Sequence, residues 1–407
     1  MHIDSLSPEA VAARRGPATT LCEALQASRR DTLATFALFE RALDGLRVPQ
    51  RDELNPPLWE LGHIGWFQEF WVARNPCRHD GAAADPDAAR LAPLRADADA
   101  LYHSSRVSHD SRWMLPLPDA ERTRAELAQQ LQCTLGLLHE LERSEDAVLY
   151  FFRLALLHED MHHEAALYMA QSLGIAIDDA RWQARELPEP PAPLAFGAGH
   201  WLLGSCAHSG FAFDNELQAH EVALPAAEID AQAVRWAQYL PFVDSAASGD
   251  PCWWSAAGWA WRQAQPSAAP RYLRRESGGW RQWRHGRWQS LNLAEAACHL
   301  SAYEAEAWCR WAGRRLPGEA EWERAALSRP GEFRWGDVWE WTASAFVPFP
   351  GFVPHPYRDY SAPWFDGRPV LRGASFMTQP RLRHARYRNY FLPHRNDVPA
   401  GFRSCAA

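Results

Sequence analysis

The chain has 407 residues, 47% apolar and 23% charged, the balance of a soluble globular protein of two or three domains. It contains no lysine, so all 42 basic residues are arginine, and Schiff-base chemistry, pyridoxal phosphate attachment and a Walker-type phosphate lysine are excluded because each needs an amine. The net charge of -8 argues against non-specific binding to nucleic acid.

From Met1 to Gly16 there is no apolar run, so no signal peptide is expected. No stretch reaches ~18 consecutive apolar residues, which predicts no membrane span. The eight cysteines include no C-x-x-C pair and are expected to stay reduced in the cytoplasm. Thr20 to Leu46 spaces Leu21, Leu25, Leu33, Phe36, Phe39 and Leu43 mostly in three- and four-residue steps, a helical period. Pro56 and Pro57 open a second helix carrying Trp59, His63, Trp66, Phe67 and Phe70, and Asn75-Pro76 ends it. After an alanine-rich loop that includes Ser104-Ser105-Arg106, a third helix is predicted from Asp119 to Leu141. A fourth runs from Asp146 to Leu173, closed by Gly174. Four long helices with one extended connection predict a four-helix bundle.

The proline-rich run from Glu186 to Pro193 marks a boundary, with domains expected at 1–185 and 197–407 and a linker at 186–196. Beyond it, glycine, tryptophan and short irregular apolar runs dominate. Two helices are legible there, Ala302 to Ala312 and another starting near Pro317, and the rest reads as short strands and long loops. The 21 tryptophans are chiefly packing residues, and an aromatic cage for a cationic ligand is their minority use.

His158-Glu-Asp-Met-His162 puts two imidazoles on one face of the fourth helix, close enough to reach a single metal ion. Two polar residues on a solvated face would read the same way, but Leu154, Ala155, Leu157 and Met161 mark the segment as largely buried. His63 lies among aromatic residues on the second helix, where Gly62 and Gly65 would allow a close helix approach. Three neutral imidazoles suit zinc, iron or copper and leave coordination positions open. Glu164 is expected behind the ligands or in a structural role, and His163 is expected to face solvent.

Leu58-Trp-Glu-Leu-Gly-His63 and His158-x-x-x-His162-x-Glu164 resemble the DinB-like bundle of the ergothioneine-forming sulfoxide synthases. The second half is similar to the formylglycine-generating-enzyme-like (C-type-lectin-like) domain of that family. The matching stretches are Phe211 to Glu216, Ser301 to Trp308, Arg315 to Trp322, Trp339-Glu-Trp-Thr342, Val370 to Ser375 and Gly401-Phe-Arg403. They cover nearly the whole chain in the family's order. The resemblance implies an α+β multidomain fold, a DinB-like four-helix bundle followed by an α/β domain with much irregular structure. It also implies a non-haem iron(II) enzyme that uses dioxygen to bond a chalcogen to imidazole C2 of hercynine, trimethylhistidine. His63, His158 and His162 would hold the iron. A tyrosine of the second domain would act as acid, Tyr357 first and Tyr360 in reserve. Asn389, Tyr390, Phe391, Arg106 and Met161 would contact substrate.

The chain also departs from that family's pattern. After Asn389 and Tyr390, Phe391 stands where an acid would hold the amino end of the sulfur donor, and the donor's arginine pair has no clean counterpart around Ser105-Arg106. An unpaired ammonium beside Phe391 would be costly. The sequence therefore resembles the selenoneine synthase branch, which implies a selenosugar donor, ahead of cysteine or gamma-glutamylcysteine. The competing readings are a zinc-dependent DinB-type thiol transferase and a non-catalytic carbohydrate-binding scaffold. Formylglycine generation itself fits less well, because Cys298 and Cys309 are too far apart in sequence for a copper-binding pair. Small-molecule substrates are expected, with neither nucleic acid nor membrane as partner, and the sequence leaves oligomeric state open.

Overall fold

The starts of the helices follow local capping chemistry. In the computed structural model, which describes residues 7–141, 146–207 and 209–407, Ser7 caps α1 (Pro8–Arg15) through its hydroxyl, which accepts from the Ala10 amide at 3.1 Å. The first six residues, part of the stretch read as lacking an apolar leader, lie outside the described residues. α2 (Ala18–Ala42) follows, then α3 (Pro57–Gln68), which runs into a π turn over Glu69–Ala73. After the short α4 (Ala98–Tyr102), Asp119 caps α5 (Ala120–His139), and α6 (Tyr150–Leu173) ends on Gly174 in the left-handed conformation, φ 73°. α2, α3, α5 and α6 pack on one another as a four-helix group. No helix among the described residues is long and apolar enough to cross a membrane.

The C-terminal half is built from short strands and irregular segments. In chain order come β1 (Leu194–Phe196), β2 (Gly199–Leu203), β3 (His220–Leu224), β4 (Ala227–Ile229), α7 (Trp236–Asp244), α8 (Ala256–Gln263) and the meander β5 (Leu273–Glu276), β6 (Gly279–Arg284), β7 (Arg287–Ser290). α9 (Ala302–Trp311), β8 (Arg314–Arg315), α10 (Glu319–Ser328), β9 (Trp339–Ala345), β10 (Pro369–Gly373), β11 (Asn389–Tyr390), β12 (Ala400–Gly401) and β13 (Cys405–Ala406) complete it. One sheet has the order β1-β4-β13-β8 and a second β11-β10-β9-β12. In the second, Leu371 pairs with Trp341 across antiparallel β10 and β9, and β12 runs parallel to β9.

α7 and α8 go beyond the two helices legible in sequence. α7 holds Pro241 within it, a residue that reads as a breaker, and its burial of Trp236, Tyr239, Leu240 and Phe242 outweighs that signal. α1 was likewise not expected, although Ser7-Pro8 is a recognisable start.

The two halves share a core. Trp59, Phe67, Phe151 and Phe152 belong to the same buried cluster as Phe213, Trp341 and Phe402. Polar links cross the same boundary. Arg14 of α1 makes a two-pronged ion pair with Glu216 at 2.7 and 3.0 Å, and Asp160 of α6 accepts from Arg381 at 2.9 and 2.8 Å.

Candidate metal centre and the cavities beside it

α3 is buried on nearly every side, as an apolar helix in the middle of a protein should be. The glycines expected to allow close approach do so. A Cβ at Gly62 would fall 2.3 Å from the Tyr102 ring, and one at Gly65 2.1 Å from the Gln130 side-chain oxygen. The approach of Tyr102 has a second effect, because its carbonyl accepts from His63 Nδ1 at 2.8 Å. Trp59 stacks on the same imidazole at 4.7 Å and 8°.

His63 of α3 meets His158 and His162 of α6, and one ligand atom from each lies within 4.8 Å of the other two. Glu164 is not part of this group. His162 Nδ1 donates to Glu60 at 2.5 Å, and the His158 and His162 Nε2 atoms approach to 3.2 Å. His158 lies flat on Phe67 at 3.5 Å and 4°. Burial pushes His63 down to about 3, and burial likewise holds His158 well below its ordinary value, so both rings are neutral at pH 7. Burial would raise the Glu60 carboxyl, but the His162 ring beside it brings it below its usual value.

With Nδ1 of His63 and of His162 committed to an oxygen acceptor, each ring keeps its Nε2 lone pair for the centre. The buried Nδ1 of His158 has no hydrogen-bond partner among the described residues. Convergent imidazole lone pairs, held by oxygen acceptors behind two of the rings, fit a divalent transition metal with open positions.

Two cavities lie near this centre, reached through Trp66 and Tyr357 in one and Met161 in the other, and neither is lined by the three histidines themselves. The smaller, about 200 Å³, is walled by Trp339, Tyr360, Tyr387, Tyr390 and Phe391, with Met161, Glu164 and Asn389 also on its lining. Glu164 Oε1 accepts three hydrogen bonds, from Trp339 at 2.8 Å and from Ser375 and Thr378 at 2.7 Å each. Its Oε2 has no donor among the described residues. Burial pushes the Glu164 carboxyl up, against those three donors.

The larger cavity, about 490 Å³, is lined by Trp66, Phe70 and Trp71 on one side and by Asp87, Arg90, Asp99, His103, Ser104, Ser105, Arg106, Tyr357 and Asp359 around the rest. Its carboxylates are engaged with protein groups. Asp99 holds Arg74 at 2.7 and 2.8 Å, Asp87 pairs with Arg358 at 3.2 Å, and Asp359 accepts from Ser105. Arg90 lies over Phe70 at 4.6 Å and Trp71 at 5.0 Å.

The residues singled out in sequence therefore divide between two places. Asn389, Tyr390, Phe391, Met161 and Tyr360 line the smaller cavity, and Arg106 and Tyr357 the larger. The Tyr357 ring stands edge-on to His158 at 6.2 Å and to Phe67 at 4.9 Å, and no protein group hydrogen-bonds its hydroxyl among the described residues. The Tyr360 hydroxyl donates to Tyr387 at 2.9 Å, and the Tyr387 hydroxyl contacts Met161 Sδ at 3.3 Å.

His163 corrects the sequence reading. It was expected in solvent but is buried, between Thr35 Oγ1 at 3.0 Å and Gln379 Nε2 at 3.2 Å, because the C-terminal half covers that side of α6. Glu60, Tyr102 and Tyr387 were not singled out in sequence. Glu60 sits three residues before His63 inside the Leu58 to His63 motif, a signal that could have found it; Tyr102 and Tyr387 are brought in by tertiary contacts alone.

Residues 183–337 match the family model of the sulfatase-modifying factor enzyme 1-like domain. The hercynine oxygenase of Mycobacterium tuberculosis is 32% identical to this chain over 403 residues, spanning 87% of the chain and 92% of that protein. The hercynine oxygenase of Mycolicibacterium smegmatis is 30% identical, spanning 94% and 98%. The formylglycine-generating enzyme of Streptomyces coelicolor is 31% identical over 34% of the chain and 48% of its own length. The near full-length matches carry beyond the shared C-terminal domain into the helices that bear the histidines, and on them the chain belongs to the hercynine oxygenase family.

Proposed function

We propose that the chain is a cytoplasmic non-haem iron(II) enzyme that uses dioxygen to bond selenium, from a selenosugar, to imidazole C2 of hercynine. The observation that supports this reading is the convergence of three imidazoles, with two cavities of different chemistry lined by residues next to them. His63, His158 and His162 would hold the iron, which when bound supplies dioxygen activation at the positions they leave open.

The smaller cavity suits the betaine end of hercynine. A trimethylammonium favours aromatic faces, here Tyr360, Tyr387 and Tyr390, and Glu164, whose Oε2 has no donor among the described residues, lines the same cavity. Asn389 is available to the carboxylate. Tyr357 is suited to be the acid. Its ring stands edge-on to His158 at 6.2 Å, and its hydroxyl has no hydrogen-bond partner among the described residues, which leaves its proton available at the centre.

The larger cavity suits the donor. Its aromatic walls and hydroxyl-sized polar groups suit a sugar ring, and Asp99 is already held at two points by Arg74. Phe391 lines the other cavity, and the donor argument accordingly rests on this lining. Arg106, which lines this cavity and makes no side-chain hydrogen bond or ion pair among the described residues, favours the second reading, a sulfoxide synthase whose thiol donor carries a carboxylate. The test is a competition under air between a 1-selenosugar, cysteine and gamma-glutamylcysteine at equal concentrations, with hercynine and ferrous enzyme and products read by mass. The selenosugar conjugate is expected to dominate. A dominant gamma-glutamylcysteine conjugate overturns the donor assignment, and no conjugate from any donor overturns the function.

A further inference from the structure

The segment that carries Tyr357 is irregular, and only a short 3-10 turn over Arg358–Tyr360 gives it regular structure. Its outward side chains Arg358 and Asp359 are exposed and pair with Asp87 and Ser105 at the surface, contacts that hold little against solvent. Two buried links flank the tyrosine instead. Asp214, 3% exposed, accepts from the His355 backbone amide at 3.2 Å through Oδ2 and from the Ser361 hydroxyl through Oδ1. One carboxylate thus closes both ends of the segment from 355 to 361. His355 is tied a second time, as its Nδ1 lies 3.0 Å from the hydroxyl of Tyr150, the first residue of α6. That helix carries His158 and His162.

We propose that Asp214 is a positioning residue, which with Tyr150 and His355 fixes the reach of Tyr357 toward the metal centre. A loop closed at one end only would let the phenol swing along its length. Closed at both ends on one rigid carboxylate, and tied to the histidine helix, it keeps a set distance from His158. Displacements of about 1 Å at a reacting group are enough to cost about a hundredfold in rate. The short side chains of Ser361 and Asp214 leave little slack in the link. The inference rests on the reading of Tyr357 as the acid.

The test uses Asp214→Ala, Asp214→Asn and Tyr357→Phe, singly and combined, in the full chain. Asp214→Ala is expected to slow turnover by about ten- to a hundredfold while metal content stays within twofold of wild type, with a smaller rise in the hercynine KM because Tyr360 lies on the same segment. Asp214→Asn recovers part of the loss, since its side chain keeps one acceptor oxygen. In metal-free protein, amide exchange over 355–361 rises in Asp214→Ala and stays unchanged over 158–162. Added to Tyr357→Phe, Asp214→Ala causes no further loss. Losses that multiply, or an Asp214→Ala enzyme within twofold of wild type beside a slow Tyr357→Phe, overturn the clamp alone. A Tyr357→Phe enzyme as fast as wild type overturns the acid assignment and the clamp with it. If Asp214→Ala does not fold, Ser361→Ala, which opens one end only, is put through the same comparison.

Discussion

The helical half and the C-terminal half hold their functional side chains by different means. In the first, regular helices do the positioning. His158 and His162 share a face of α6, His63 faces them from α3, and hydrogen bonds donated to Tyr102 and Glu60 set the rings of His63 and His162. In the second, the functional residues lie on short strands and loops, and buried arginine–carboxylate pairs do what helical hydrogen bonds do elsewhere. Arg388 grips Glu319 at 2.9 and 3.0 Å and also donates to the carbonyls of Asn215 and Val347. Arg403 grips Glu340 at 2.5 and 2.7 Å, and Arg372 holds Glu323. The planar fork of arginine matches a carboxylate at two points, which lysine cannot do, so a chain whose only long cations are arginines is well provided for stitching loops. Irregular backbone can carry a precise site when its charged groups are fully paired.

Breaking one pair should separate the two halves most sharply. Glu319→Ala leaves the Arg388 guanidinium buried without its carboxylate and should cost about 3–5 kcal/mol of stability, measured by urea unfolding. Because Arg388 directly precedes Asn389 and Tyr390, hercynine affinity should fall in the same variant. A loss below about 1 kcal/mol would mean that the Arg388–Glu319 pair is not among the contacts that hold the C-terminal half.

His63→Ala should do the opposite, leaving the fold and emptying the centre. Replacing even a group behind a ligand commonly weakens metal binding ten- to a hundredfold, and a ligand itself should exceed about a hundredfold, read by metal analysis of protein purified without oxygen. Full iron occupancy in that variant would remove His63 from the site. The smallest effect expected is at the cavity wall. Tyr390→Ala should weaken hercynine binding by about 1–2 kcal/mol with iron content unchanged, the scale of a desolvated cation–π contact. An unchanged affinity by calorimetry would move the betaine elsewhere.

What sequence disclosed follows the same division. The i, i+4 histidines, the proline start of α3 and the glycines against Tyr102 and Gln130 are local signals, and helices express local signals directly. The reading weakened where the partner lies far along the chain. The segment of Glu159 and Asp160 reads as largely buried and is so, but their partners could not be read: Glu159 lies against Arg29 at 2.8 Å and Asp160 against Arg381. His163 was misread for the same reason, since Gln379 is what covers it. In the C-terminal half, tryptophan density and short apolar runs mark burial without periodicity, so α7 and the register of β9 to β12 could not be read from them.

The place of β13 bears on how the chain acquires its fold in time. Cys405 pairs with Ile229 on one side and Arg315 on the other, so strands made much earlier in synthesis stay apart until β13 arrives between them. The helices of the first half precede every strand in the chain and emerge first, although α2 meets α6 across a separation as long as that of the late strands. During synthesis the histidines are therefore made before the wall that will face them exists. A chain halted after α6 would own His63, His158 and His162 and lack Tyr357, Asp214 and the aromatic wall of the smaller cavity.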